Sequence, residues 1–239
     1  MKSFEQRDGN ADMKKALIIG GSRGLGFGLV EEKIRRGWHV TTTERTYAAN
    51  LRTLAENNPQ QLIIENLDIR DQAQQRSLAD RLSGQSYDLL FLNAGILLGW
   101  GQTVSEIADA DIADKFLTNA ISPVRIADLL FDQVRPGGMV AFMSSILGSV
   151  SRNDDGRAEL YRASKAALNS LVLSFCARHS DADRTVLLLH PGVVQTDMGG
   201  ANAPLDIATS VTGLASVIEQ RWGQKTPAFV DYQNNEIPW

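Results

Sequence analysis

Tyr161 and Lys165 stand four residues apart in Tyr161-Arg162-Ala163-Ser164-Lys165, ahead of Ala166-Ala167-Leu168. On a helix such a pair shares one face, ~6 Å apart along the axis. An ammonium placed there favours phenolate over phenol, so the tyrosine pKa is expected to fall and its hydroxyl to exchange a proton with a reactant. Spacing alone is weak support. With 4 tyrosines in 239 residues, chance supplies such a pair in about one sequence in eight. The weight therefore rests on what the remaining chain builds around it.

A second chemistry is written near the start of the chain. Ala16-Leu17-Ile18-Ile19 is continuously apolar, as in a strand buried on both faces, and runs into Gly20-Gly21-Ser22-Arg23-Gly24-Leu25-Gly26. A helix follows from about Leu25 to Arg36 and stops at Gly37, and a strand from Trp38 to Glu44 completes a βαβ unit. Glycines at 20, 24 and 26 let backbone N–H groups approach a pyrophosphate, and the helix N-terminus behind them favours its charge. That placement points to a dinucleotide. At the end of the second strand Glu44 is the acidic residue suited to a ribose 2′-hydroxyl, whereas Arg45 and Arg23 suit a 2′-phosphate. Two guanidiniums against one mobile carboxylate favour NADP(H), with NAD(H) the alternative.

The elements that must hold these groups alternate along the whole chain. Helices are expected over about 51–57, 71–82, 108–134 (kinked or interrupted near Pro123), a helix carrying Tyr161 over 161–178, and 205–221. Strands are expected over 62–67, 87–92, 139–143, 185–189 and 228–230. The pattern predicts a single α/β domain: a Rossmann-like, doubly wound, mostly parallel seven-stranded sheet with helices on both faces. Residues 13–239 form that domain, with the substrate site inside it, and the polar residues 1–12 are expected to be a disordered extension.

Composition narrows the function. A net charge of -4 gives no basic footprint for nucleic acid, and no apolar run approaches a membrane span. The single cysteine, Cys176, lies in an apolar helical stretch and reads as a buried structural thiol, which fits a reducing, cytoplasmic setting. His39, His179 and His190 lack metal-ligand spacing, so no metal site is expected. Asp154-Asp155 and Asp109-Ala110-Asp111 read as loop and helix-start charges.

The motifs GGSRGLG (20–26), LNAG (92–95), TNAISP (118–123), SSILG (144–148), YRASKAAL (161–168) and HPGVVQTDM (190–198) together resemble the short-chain dehydrogenase/reductase family. They fall in that family's order and cover nearly the whole chain after Met13. The ending DYQ…EIPW (231–239), with SSILGS (144–149), resembles the narrower group of C-factor and sniffer-like carbonyl reductases. The resemblance implies an oxidoreductase that moves a hydride between NAD(P)(H) and a carbonyl or alcohol. Tyr161 would be its acid/base and Lys165 the residue that lowers the tyrosine pKa and binds the nicotinamide ribose. Ser145 would hold the substrate oxygen, and Asn119 a water of the proton relay. Gly20, Ser22, Arg23, Gly24, Leu25 and Gly26 would form the phosphate loop, and Glu44 and Arg45 would face the ribose. Asp68 and Ile69 would contact the adenine, Asn93, Ala94 and Gly95 the cofactor's central part, and Pro191, Gly192, Val194 and Thr196 its nicotinamide side.

Three departures from the family's pattern carry expectations of their own. Leu92 replaces the first Asn of the NNAG motif, which should loosen that turn's hydrogen bonding. The stretch between Ser145 and Tyr161 is a few residues longer than usual, so 149–156 should form a loop at the site mouth. The segment Asp197–Leu205 is short where relatives often carry a long lid, implying an open, permissive pocket for aldehydes or ketones. Trp100, Ile146, Leu147 and Met198 are candidates to line it. Strand alternation should turn Ser144 to the side opposite Ser145. Helices 108–134 and 161–178 are the pair that relatives commonly use to form homo-oligomers. The competing expectation is an NAD(P)-binding regulatory or signalling protein of the same fold.

Overall fold

In the computed structural model, which describes residues 13–239, seven strands stand side by side in the order β3-β2-β1-β4-β5-β6-β7. They are β1 (Lys15–Ile19), β2 (His39–Glu44), β3 (Leu62–Asn66), β4 (Tyr87–Leu92), β5 (Val134–Met143), β6 (Arg184–His190) and β7 (Ala228–Asp231). Every neighbouring pair is parallel. The central strands are apolar at nearly every position because both faces are covered. One face packs against α3 (Gln72–Arg81), α5 (Ser122–Leu129) and α6 (Glu159–Arg178), through Leu78, Ile126 and Phe175 among others. The other packs against α1 (Gly24–Arg35) and α7 (Ile207–Gln220), through Leu29, Val30 and Leu214. Two further helices, α2 (Ala49–Asn57) and α4 (Asp109–Phe116), complete the set. Strand order reverses between β1 and β4, so a crevice opens outside their carboxyl ends.

The fold class holds over the described residues; the expectation for residues 1–12 lies outside them. Two element boundaries are corrected. The helix expected over 108–134 is interrupted ahead of Pro123, as anticipated, by a widened π turn at Leu117–Ile121 between α4 and α5, but α5 already ends at Leu129. Pro123 has no N–H for the carbonyl four residues earlier, that of Asn119, so an unbroken α ladder is impossible there. β5 begins at Val134 rather than Met139, because Arg135–Gly138 bulges out between the pairs Tyr87↔Val134 and Leu89↔Met139.

One core residue opposes the fold at neutral pH. Lys33 on α1 is fully buried and its Nζ has no hydrogen-bond partner; it lies 4.3 Å from the centre of the Trp38 ring. Burial pushes its pKa down to about 8, with Glu219 pulling the other way. The folded pKa is below the unfolded 10.5, so folding disfavours the ammonium. The resulting penalty is complete below about pH 8 and fades as pH rises toward the unfolded value. Lys33→Met is therefore expected to raise stability by roughly 1–3 kcal/mol at neutral pH. Urea unfolding should show that gain shrinking above the folded pKa.

Candidate active site

The glycine loop joins the end of β1 to α1, and neighbouring strands hold it shut. Gly20 N donates to Thr43 Oγ1 (2.9 Å) and Gly21 N to Thr43 O (3.0 Å). From the other side Asn93 Nδ2 donates to Gly20 O (2.8 Å), while Asn93 N and Ala94 N both donate to Ile19 O. The turn after β4 is therefore tied down despite Leu92, whose side chain is buried in the core, and the expected loosening is not found. A Cβ on Gly26 would lie 2.0 Å from Gly20 O and 2.5 Å from Asn93 Nδ2, so only glycine lets the loop close here. Gly20 and Gly24 have φ of 90° and 53°, a region that favours glycine. No side chain caps α1, which leaves its first N–H groups, from Gly24 onward, facing the crevice. Ser22 and Leu25 are half-buried in the same loop. This cradle fits the pyrophosphate of a dinucleotide.

Around the ribose position the structure revises one expectation. Glu44 is not mobile: it is 1% exposed, accepts from Ala48 N (3.0 Å) and pairs with Arg52. Both carboxylate oxygens are engaged at the start of α2. Arg45 is exposed beside it, and Arg23 pairs with Asp197 at 3.3 Å on the surface. Asp68 accepts from the backbone and guanidinium of Arg70, which holds its carboxyl below the usual range, and Ile69 is buried beneath it.

The reactive groups converge at the carboxyl end of β5. Tyr161 lies in the first turn of α6 and Lys165 one turn later, both nearly buried. Ser145 follows β5 by two residues; its hydroxyl accepts from Leu147 N (3.2 Å) and pulls the Tyr161 pKa downward. Ser144 turns the other way and donates to Asn169 Oδ1 (2.6 Å). Lys165 Nζ donates to Met143 O (2.9 Å) and lies 5.9 Å from the centre of the Tyr161 ring. Asn119, fully buried in the π turn, binds both the N–H and the carbonyl of Ile96, at 2.8 and 2.9 Å, and donates to Ser164 Oγ (3.1 Å). Ser164 in turn donates to Tyr161 O (2.8 Å). A Cβ on Gly95 would stand 3.4 Å from Asn119 Oδ1 and 3.8 Å from Lys165 Nζ, which sets how closely these groups meet.

The protein's own field does not lower the Tyr161 pKa. Burial pushes it up to about 12, against a downward pull from Ser145 alone, and burial pushes Lys165 down to about 8. The expectation that Lys165 would draw the tyrosine toward neutral pH is corrected. The ammonium is itself desolvated, and one of its three N–H donors is given to Met143 O.

The nicotinamide-side residues close the arrangement. Pro191 O accepts from Ser210 Oγ (2.6 Å), and a Cβ on Gly192 (φ 84°) would meet Leu205 Cδ1 at 2.3 Å. Val194 bridges to Leu205, and the Thr196 methyl would lie 3.6 Å from a Cβ on Gly24, so this strand end rests on the glycine loop. The segment after Thr196, although short, reaches the tyrosine: Met198 Sδ is 3.9 Å from Tyr161 Oη. His190, at the end of β6, is buried and pushed down to about 4, hence neutral. The loop over 149–157 is held to α6 by Arg162, which donates to Arg157 O and Asp155 Oδ1 (both 2.9 Å).

Sequence reasoning missed Thr43 and Ser164. The parallel register Ile18↔Thr42 would have placed the Thr41–Thr43 run beside the glycine loop. For Ser164, its place inside YRASK, one residue from Lys165, was the available signal.

Residues 14–204 match the family described as short chain dehydrogenase. The chain is 38% identical over 166 residues to the C-signal protein of Myxococcus xanthus, covering 69% of this chain and 99% of that one. Among solved structures, a short-chain dehydrogenase/reductase of Burkholderia multivorans with bound NADP superposes with a TM-score of 0.93 at 40% identity. That match covers 95% of this chain and 100% of the other. The carbonyl reductase Sniffer of Drosophila melanogaster gives a TM-score of 0.85 at 30% identity, covering 95% and 100%.

Proposed function

The chain belongs to the short-chain dehydrogenase/reductase family, and we propose that it is an NADP(H)-dependent carbonyl reductase with Tyr161 as the proton donor. The observation that carries the reading is the meeting of Ser145, Tyr161, Lys165 and Asn119 beside a closed glycine loop. NADP(H), held by the loop of residues 20–26 and the α1 N-terminus, would supply the hydride. The chain's own residues do the rest. Ser145 and Tyr161 aim hydroxyls at one point, where a carbonyl oxygen gains negative charge as it is reduced. Tyr161, whose pKa burial pushes up, would donate the proton to that oxygen. Lys165, pushed toward 8, would return that proton through a water positioned by Asn119 and the solvent beyond.

Cofactor choice follows from the ribose end. Glu44 is committed to Ala48 and Arg52, leaving exposed Arg45 and Arg23 to meet a 2′-phosphate; the Burkholderia multivorans relative binds NADP. Arg45→Glu is expected to cut the NADPH-to-NADH ratio of kcat/KM by about tenfold or more, read from steady-state kinetics with both cofactors. The single cysteine fits a cytoplasmic setting. Exposed Leu129 and Leu173 on α5 and α6 support self-association through those helices.

Steady-state assays over a panel of aldehydes and ketones with NADPH and NADH test the proposal. Tight cofactor binding with no turnover on any carbonyl would overturn it. A second reading, an NAD(P)-binding signalling protein, draws support from the likeness to C-signal. Tyr161→Phe separates the two, because a purely binding role should survive it.

A further inference from the structure

Met198 has no part in the steps above, yet its thioether is a direct neighbour of the Tyr161 hydroxyl. Sδ lies 3.9 Å from Oη, and the residue is 40% exposed while Tyr161 is 8% exposed. The turn that carries it is fixed. Gly200 N donates to Thr196 O (2.8 Å) and Gly199 N to Thr196 Oγ1 (3.1 Å). A Cβ on Gly199 would fall 2.0 Å from Val194 O, so the chain can pass there only as glycine. On the other side Asp197 pairs with Arg23 of the glycine loop. Met198 is thus held over the proton donor on the solvent side. A thioether is a weak acceptor, so in this form it leaves the hydroxyl free to turn to a substrate oxygen.

We infer that Met198 is an oxidation site whose sulfoxide acts as an internal brake on Tyr161, a conclusion that rests on Tyr161 being the proton donor. Hydrogen peroxide is the oxidant. A sulfur lone pair attacks one peroxide oxygen, the O–O bond breaks, and the transferred oxygen stays on sulfur. Its proton passes to the departing hydroxide, which leaves as water. Sulfur is oxidised by two electrons and the peroxide reduced by two. An oxygen added on the side of Sδ that faces Tyr161 lies between the two atoms, within reach of an O–H···O bond of ~2.5–3.0 Å. The S=O dipole then takes the hydrogen bond that a substrate C=O requires, and takes its place. The change is reversible, because methionine sulfoxide reductases restore the thioether.

Other oxidisable groups are separable from this one. Burial pushes the Cys176 thiol up to about 11, which leaves it almost wholly protonated and unreactive. Met139 and Met143 are buried in the core, and Met13, although exposed, precedes β1 at the opposite end of the sheet.

The test exposes the wild type, Met198→Leu and Cys176→Ser to graded hydrogen peroxide. Peptide mass locates the added oxygen, while carbonyl reduction and NADPH binding are measured in parallel. Wild-type turnover is expected to fall by about tenfold or more as the Met198 sulfoxide accumulates, with NADPH affinity unchanged within about twofold. Methionine sulfoxide reductase should restore turnover and dithiothreitol should not. Cys176→Ser should follow the wild type, and Met198→Leu should keep most of its own untreated rate. Full turnover with Met198 completely oxidised would overturn the inference, as would Met198→Leu losing activity as fast as the wild type. If the untreated protein binds NADPH but reduces no carbonyl, the reading of Tyr161 falls first and the brake with it.

Discussion

Tyr161→Phe should lower kcat for carbonyl reduction by about 10²–10⁴-fold, equivalent to roughly 3–5 kcal/mol of transition-state stabilisation. NADP(H) affinity should stay within about twofold, because the ring that packs the site is kept and only the hydroxyl is lost. The hydroxyl's side-chain neighbours are Ser145 and the weakly accepting Met198 sulfur. Removing it therefore strands no strongly polar partner in the core, and the thermal midpoint should change little. Single-turnover kinetics with preformed NADPH complex checks the effect, since it reads chemistry apart from product release. A loss confined to KM would mean that Tyr161 holds substrate without donating the proton.

Gly26→Ala should have the second large effect, on the opposite half of the site. The new Cβ would press within 2.0 Å of Gly20 O and 2.5 Å of Asn93 Nδ2. Neither is the free end of a flexible side chain: one is backbone, and the other is the amide that clasps the loop through its 2.8 Å bond to Gly20 O. Relief requires the loop to open, which moves the α1 N-terminal N–H groups away from the pyrophosphate position. NADP(H) binding is expected to weaken by about a hundredfold, or roughly 3 kcal/mol, alongside about 1–3 kcal/mol of overpacking strain in the fold itself. Tryptophan fluorescence titration gives the affinity and a thermal melt the strain. An affinity within about threefold of the wild type would show that the loop does not need this closure.

Much of the architecture was legible because its signals are local and repeated. Ala16–Ile19 and Leu89–Leu92 are apolar throughout, the mark of strands covered on both faces, and each leads directly into a loop of the site. Tyr161 and Lys165 stood out by their spacing, whereas Ser145 came from the resemblance of SSILG to the family's motif. What escaped depends on partners distant in sequence. Nothing near Glu44 says that Ala48 and Arg52 will engage its carboxylate. An interruption near Pro123 was legible, but the clasp of the Asn119 amide on the Ile96 backbone in another loop was not. The Tyr161 pKa was misjudged for a related reason. Spacing brings the ammonium close, but it does not reveal that burial raises the tyrosine pKa or that the Lys165 ammonium donates to Met143 O.

The central claim is that this chain moves a hydride from NADPH to a carbonyl carbon while Tyr161 protonates the oxygen. Its most direct test is single-turnover reduction of an aldehyde or ketone with NADPH deuterated at the nicotinamide C4, followed by mass analysis of the product. The account predicts an alcohol carrying deuterium on the carbinol carbon, formed by the wild type and at least about a hundredfold more slowly by Tyr161→Phe. Alcohol without deuterium, or formation at equal rates in both proteins, would contradict it.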